Sequence, residues 1–141
     1  MSFASRNPAQ AYAKVGTEIS VAEADAHQLI LMLFEGALLA IAKADNAMQQ
    51  GQIAEKGEAI SRTIDIVTNG LKASLDFSAD DELADRLAAL YDYMVVRLFH
   101  ANLHNDPAAL SEVSRLLGEI KSAWEEIAND PAVASRNKVA A

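Results

Sequence analysis

The stretch that decides the fold is LILMLFEGALLAIA, residues 29–42, which carries a single charge, Glu35. Apolar residues lie on every side of a helix drawn through it, whereas a helix that packs on one face needs polar residues opposite. Its fourteen residues are fewer than the roughly 20 apolar residues that span a bilayer. The pattern therefore predicts the central helix of a water-soluble bundle, or a helix whose far side binds a partner, without membrane insertion.

The composition favours one helical domain. The chain has 141 residues, of which 51% are apolar, with only 3 prolines and 6 glycines, and this profile is typical of all-α proteins. Cysteine is absent, which excludes a disulfide framework and a thiolate metal site. The formal charge of −8 repels phosphate backbones, so we expect no nucleic-acid binding. The N-terminus, MSFASRNPAQ, lacks the apolar core of a secretory signal, which favours a cytosolic protein.

Start and stop signals divide the chain into four helices. Asp25 followed by Gln28 forms a capping-box start, and Gly51 is a natural residue to end that helix. Asp106 before Pro107 marks another start, because proline is favoured at the first helical position. These signals and the apolar periodicity predict helices at about 25–50, 53–76, 81–104 and 107–128.

The last two helices have the clearest apolar stripes. The third is expected to start at a cap formed by Ser78 or Asp80. Its inward stripe is Leu83, Leu87, Leu90, Met94, Leu98 and Ala101. The fourth has the alternating spacing of a bundle seam, at Leu110, Val113, Leu117, Ile120, Trp124 and Ile127. Short links between long helices predict an all-α, antiparallel up-down-up-down four-helix bundle over residues 25–128. Residues 1–24 are expected to form a flexible arm with at most a short helix, and residues 129–141 a flexible tail.

No constellation of catalytic residues appears in the sequence. Di-iron bundles need Glu-x-x-His pairs, which are absent. His100 and His104 are spaced to hold zinc, but no carboxylate is placed to complete the site, and histidines at a helix end complement its dipole. His27, in a first helical turn, is expected to be solvated. Without a nucleophile elbow or a phosphate-binding loop, the sequence predicts no enzyme, no metal and no cofactor.

The first and third helices carry more apolar residues than one packed face requires. Either the excess is buried as core, or part of it forms an exposed groove, rimmed by acidic residues, that binds an amphipathic helix of another chain. The candidate groove residues lie on the first three helices and are Leu31, Phe34, Leu71, Leu75, Tyr91, Val95, Val96 and Phe99.

Several stretches in unbroken order carry a family resemblance. They are Ala11-Tyr12, AHQLILMLFEGAL at 26–38, LKASLD at 71–76, LYDYM at 90–94 with Arg97-Leu98 and Ala101-Asn102 after it, and AWEEI at 123–127. Together they are similar to the flagellar secretion chaperones of the FliS family. Two positions depart from the family pattern: Ala26 stands where proline is frequent, and Phe34-Glu35 where Tyr-Asp is usual. Both keep the chemistry of a helix start and of an apolar residue before an acidic one.

The resemblance implies a mechanism. Members of the family bind the disordered C-terminal segment of flagellin in the cytosol, and that segment folds as short helices against apolar grooves of the bundle. Binding prevents premature polymerisation and supports delivery to components of the flagellar type III export gate. Tyr12 would cover part of the groove until cargo arrives. The alternative is a homodimeric structural or adaptor bundle without affinity for flagellin.

Overall fold

The computed structural model describes residues 25–78 and 82–128, and within these ranges the chain is a bundle of four helices without strands. The helices are α1 (Ala26–Gln49), α2 (Ile53–Asp65) with its π-helical continuation (Ile66–Lys72), α3 (Leu83–His104) and α4 (Pro107–Ala128). The predicted all-α four-helix bundle is confirmed. The predicted arm, 1–24, and tail, 129–141, lie outside the described residues.

Local signals place the helix ends. The Oδ1 atom of Asp25 accepts a hydrogen bond from the backbone N–H of Gln28 at 2.7 Å, which is the N-cap contact expected of this pair. Gly51 follows α1 with a φ of +68°, a left-handed conformation that glycine adopts without a steric penalty. At the start of α4, the Oδ1 atom of Asp106 accepts from the N–H of Ala108 at 3.0 Å, with Pro107 as the first helical residue.

The start of α3 differs from the prediction. Its N-cap is Glu82, whose side chain makes no capping hydrogen bond. Ser78 belongs to a turn instead, in which its N–H and its hydroxyl both donate to Oδ1 of Asp76. The hydrogen bonds from Ser78 hold the pKa of Asp76 below its ordinary value. Ser78 lies five residues before Leu83, the first residue of α3, and so does not occupy the N-cap position.

The second predicted helix is divided in two. It is α-helical only to Asp65, and residues 66–72 form a π-helix, which adds about one residue per turn. Four of these seven residues, Ile66, Val67, Gly70 and Leu71, are buried. These residues are spaced at i, i+1, i+4 and i+5, so the wider turn keeps them together on one face, which packs into the core. Apolar periodicity alone could not predict this change.

The core lies between the four helices. α1 packs on α2, the π-helical segment and α4, and α3 packs on the same three neighbours from the other side, so that α1 and α3 are diagonally opposed. The most deeply buried large side chains include Leu33, Phe34, Met94, Leu98 and Leu117. Each of the two predicted stripes is exposed at one end only, at Leu83 of α3 and at Ile127 of α4, whereas Ala101 and Leu110 at the other ends are buried. In α4 the buried residues therefore lie in the first half of the helix.

His27 is buried, which contradicts its predicted solvation. Its ring stacks on Trp124 of α4 with centroids 4.4 Å apart and planes 7° apart. The indole N–H of Trp124 donates to the carbonyl oxygen of His27 at 2.9 Å, and Nε2 of His27 lies 2.7 Å from the carbonyl oxygen of Trp124. These contacts join the start of α1 to the last turns of α4. Because they link residues 97 positions apart, no local pattern in the sequence could reveal them.

By length and composition alone, α1 could cross a membrane, since it is a 24-residue helix and contains an 18-residue window of mean hydropathy 1.4. The sequence argument against a membrane span counted only the fourteen-residue apolar run within the helix predicted at 25–50. In the structure, eight residues of α1 are buried in the bundle. The packing therefore supports the interpretation of α1 as a core helix.

Candidate functional site

The predicted groove residues divide into three groups. Phe34, Leu71 and Tyr91 lie in the core and offer no surface to a partner in this structure. Leu31, Leu75 and Val95 are half-buried, and Val96 and Phe99 are exposed. Tyr12 lies outside the described residues. Only Val96 and Phe99 of the set are thus both apolar and fully exposed, and the structure does not unite all nine predicted residues in one groove.

An apolar stripe runs along the outer face of α3. It consists of Val96, Phe99 and Leu103, whose exposed fractions are 63%, 59% and 78%. Their spacings of three and four residues place them on one side of the helix. Leu103 was missed in the sequence, although its position four residues after Phe99 is the signal that could have revealed it. We call these three residues the α3 stripe.

Polar contacts hold α3 to α4 beside the stripe. The hydroxyl of Tyr93 donates to one carboxylate oxygen of Glu112 at 2.5 Å, and Nε of Arg97 donates to the other at 2.7 Å. Because Glu112 accepts from Tyr93 and from Arg97, its pKa lies below the ordinary value. The same hydrogen bond raises the pKa of Tyr93, because ionisation would remove the proton that its hydroxyl donates to Glu112. Glu112 is therefore ionised near neutral pH and fixes two consecutive turns of α3.

A second set of contacts holds α3 to α2 and to its π-helical continuation. Nζ of Lys72, in the π-helical segment, lies 2.7 Å from Oδ1 of Asp92. The buried Lys56 of α2 donates from Nζ to the carbonyl oxygen of Asn102 at 2.9 Å and to Oδ1 of Asn105 at 2.5 Å. A lysine cation at this position also complements the carbonyl end of the α3 dipole. Polar contacts thus hold α3 to each of its neighbours, and Asp92 lies in line with the α3 stripe, four residues before Val96.

His100 and His104 do not form a metal centre in the structure. Their rings are 4.6 Å apart and tilted, and Nε2 of His100 lies 3.2 Å from Oδ2 of Asp106. The described part of the chain contains no group of three histidine, aspartate or glutamate side chains arranged to hold a metal ion. The two histidines are better explained as polar residues at the C-terminal end of α3, close to Asp106, which caps α4.

A second apolar depression lies between α1 and α2. This α1–α2 groove has a volume of about 370 Å³. It is lined by Met32, Glu35, Gly36, Leu39, Ala40 and Lys43 of α1 and by Ala59 and Arg62 of α2. Leu39 is 59% exposed and was not among the predicted groove residues. The exposure of Leu39 could have been inferred from the apolar run of the first helix. Apolar residues lie on all sides of that helix, so some of them cannot face the core.

Sequence comparison identifies the family of this bundle. Residues 8–131 match the family model described as "Flagellar protein FliS". The chain belongs to the FliS family. It is 49% identical over 118 residues to the flagellar secretion chaperone FliS of Salmonella typhimurium, an alignment that covers 84% of this chain and 87% of that protein. The Escherichia coli flagellar secretion chaperone FliS is 45% identical over 88% of this chain and 91% of its own length.

More distant relatives match over a similar length. The Bacillus subtilis flagellar secretion chaperone FliS is 31% identical, over 88% of each chain. The FliS resemblance inferred from the sequence is therefore confirmed. Because FliS proteins are flagellar secretion chaperones, the prediction that this chain is not an enzyme is confirmed as well.

Proposed function

We propose that this chain is a cytosolic export chaperone that binds the disordered C-terminal region of flagellin. Bound flagellin is thereby kept from premature polymerisation and is delivered to components of the flagellar type III export apparatus. The α3 stripe is the primary contact surface in this proposal, with Val95 and Leu75 at its margin. Family membership supports the chaperone role, and the exposed α3 stripe is the observation that carries the choice of surface.

The geometry of the α3 stripe suits a segment that folds when it binds. Such a segment loses conformational entropy on binding, so its partner surface should require little ordering of its own. α3 meets this requirement because Glu112 holds it to α4, and Lys72 and Lys56 hold it to the π-helical segment and to α2. Three large apolar side chains at helical spacing can then receive the apolar face of a cargo helix.

A titration of the protein with a synthetic peptide from the C-terminal segment of the same bacterium's flagellin tests the proposal. Replacing Phe99 by serine should weaken binding by at least about fivefold, which corresponds to about 1 kcal/mol. Leu39→Ser, at an equally exposed leucine in the α1–α2 groove, is the matched control and should leave the affinity unchanged. Isothermal titration calorimetry gives the affinities, and thermal melts of each variant verify folding.

The competing function is a homodimeric structural bundle, which would use the same exposed residues. Sedimentation equilibrium distinguishes the two. If the wild-type chain is a stable dimer that Phe99→Ser dissociates, and the flagellin peptide does not bind, the chaperone proposal for this surface is wrong. If the peptide binds but Phe99→Ser and Leu39→Ser weaken it equally, the α3 stripe is not the primary contact.

A further inference from the structure

Lys56 of α2 is a buried cation whose ammonium group contacts the end of α3. Only 5% of its surface is exposed. Its Nζ donates to the carbonyl oxygen of Asn102 at 2.9 Å and to Oδ1 of Asn105 at 2.5 Å. Taking an ammonium group out of water is costly unless its N–H groups find acceptors. Lys56 therefore favours the conformation of α3 in which both acceptors are in place.

The end of α3 leaves the carbonyl oxygen of Asn102 without its helical partner. In a continuing α-helix, the N–H of Asp106 would donate to that oxygen. Here the N–H groups of Asn105 and Asp106 both donate to the carbonyl oxygen of Ala101, and the chain turns through Asn105 at a φ of 50°. A carbonyl group at a helix C-terminus that has lost its partner needs another donor. Lys56 supplies that donor.

Leu103 lies between the two residues that Lys56 contacts. It is 78% exposed, so packing of its own side chain does little to fix the last turn of α3. Terminal turns of a helix fray unless caps or side-chain contacts hold them. The hydrogen bonds from Lys56 to Asn102 and Asn105 lie on both sides of Leu103 in the chain. They therefore keep Leu103 helical, four residues after Phe99 and on the same side of α3.

We propose that Lys56 is a positioning residue for the cargo surface. It orders the last turn of α3 and thereby keeps Leu103 in line with the rest of the α3 stripe. This inference rests on the proposed function and deepens it, because it names the buried residue on which the end of the stripe depends. Since Lys56 is buried, it acts through Leu103 and not through contact with the cargo. Its removal therefore costs no more affinity than removal of the Leu103 side chain itself.

Hydrogen exchange of the free protein tests the order of the last turn without any cargo. Lys56→Met keeps an unbranched side chain of similar length and removes the ammonium group. The backbone amides of residues 104–106 should then exchange at least about tenfold faster than in the wild type, whereas amides in the middle of α3, such as that of Met94, should change much less. Lys121→Met is the matched control, because Lys121 pairs with Glu125 within α4, and it should change neither rate.

Titration with the flagellin peptide tests whether the order of this turn matters to cargo. Leu103→Ser should weaken binding by at least about fivefold. Lys56→Met should weaken it by about two- to fivefold, and should weaken it no further in a chain that already carries Leu103→Ser, because the side chain that Lys56 positions is then gone. Lys121→Met should leave the affinity unchanged in both backgrounds. Isothermal titration calorimetry gives these affinities.

Asn105→Gly provides the same test if Lys56→Met melts too low for these measurements. Asn105 is exposed and has a left-handed backbone conformation, which glycine adopts without a steric penalty. The substitution therefore removes one acceptor of Lys56 and leaves the core of α2 untouched. The amides of residues 104–106 should again exchange faster, and the loss of affinity should again be absent in the Leu103→Ser background.

The outcomes distinguish failure of this inference from failure of the proposed function. Unchanged exchange at residues 104–106 in Lys56→Met overturns the positioning role, and so does a loss of affinity that is equal with and without Leu103→Ser. Faster exchange with unchanged affinity overturns it as well, because the order of the last turn would then not matter to cargo. A wild-type chain that does not bind the flagellin peptide refutes the proposed function, and the exchange rates still decide whether Lys56 orders the end of α3.

Discussion

α1 and α3 are both more apolar than one packed face requires, yet the bundle treats them differently. α1 buries eight residues, among them the neighbours Leu33 and Phe34, and leaves Leu39 as its large exposed apolar residue. α3 buries five, and exposes Val96, Phe99 and Leu103. The same apolar excess therefore serves as core in one helix and as surface in the other.

Small side chains contribute to the greater burial of α1. Of the eight buried residues of α1, four are alanines at positions 37, 40, 44 and 47. They allow α2, α4 and the π-helical segment to approach closely and cover α1 on several sides. α3 also buries two alanines, Ala84 and Ala101, but in total only five of its residues are buried, the other three being Tyr91, Met94 and Leu98. Close approach, rather than total apolar content, decides how much of a helix is buried.

The largest expected effect on stability comes from truncating a buried phenylalanine of α1, and an exposed phenylalanine of α3 provides the comparison. Phe34 is 1% exposed and Phe99 is 59% exposed. Phe34→Ala should lower the free energy of unfolding by about 3–5 kcal/mol, through lost transfer energy and the cavity left behind. Phe99→Ala should lower it by less than about 0.5 kcal/mol, as is usual for surface changes. Urea denaturation of both variants measures this, and comparable losses would mean that the outer face of α3 is covered in solution.

A loss of stability at high pH, of intermediate size, should distinguish the buried side of α3 from its exposed side. Burial raises the pKa of Tyr91 to about 12. Because the folded state holds this proton more tightly than the unfolded state does, stability is complete below pH 10 and falls as the pH rises from about 10 to 12. At 1.36 kcal/mol per unit, the loss approaches about 2–3 kcal/mol.

Urea unfolding between pH 8 and 11.5 measures this effect, with Tyr91→Phe as the test variant. The free energy of unfolding of Tyr91→Phe should decline less steeply with pH than that of the wild type. Tyr93→Phe, two residues along on the exposed side, should retain most of the decline. Identical slopes for wild type and Tyr91→Phe would show that the Tyr91 hydroxyl is solvated.

The smallest effect tests the close approach of the π-helical segment to α1. A Cβ atom on Gly70 would lie 3.0 Å from Cδ2 of Leu33, whereas one on Gly57 would have no neighbour within 4 Å. Gly57→Ala should therefore raise the free energy of unfolding by about 1 kcal/mol, through helix propensity. Gly70→Ala should lower it by about 1 kcal/mol or more, through overpacking against Leu33. Thermal denaturation of the two variants gives the sign of each change in stability. Stabilisation by both substitutions would show that the π-helical segment packs less tightly on α1 than described.

Only part of the candidate site followed from the sequence. Val96 and Phe99 were predicted because they lie off the inward stripe of α3, and both are exposed. Phe34 and Tyr91 were chosen by a similar argument, whereas Leu71 lies on the apolar stripe of the second helix, and all three are buried. Helical periodicity gives the angle between residues but not how far the neighbouring helices extend around each helix. The sequence could therefore rank faces by apolar content without showing which face is covered.

The sequence by itself determined the helices and several of their ends, because those depend on contacts within a few residues. Asp25 caps Gln28, Gly51 adopts the left-handed turn, and Asp106 with Pro107 starts α4. Only the tertiary structure decided the rest: the π-helical turn against Leu33, the stacking of His27 on Trp124, and the burial of Lys56 at the end of α3. Each of these depends on residues that are distant in the chain, and no local pattern encodes a contact whose partner is supplied by the packing of another helix.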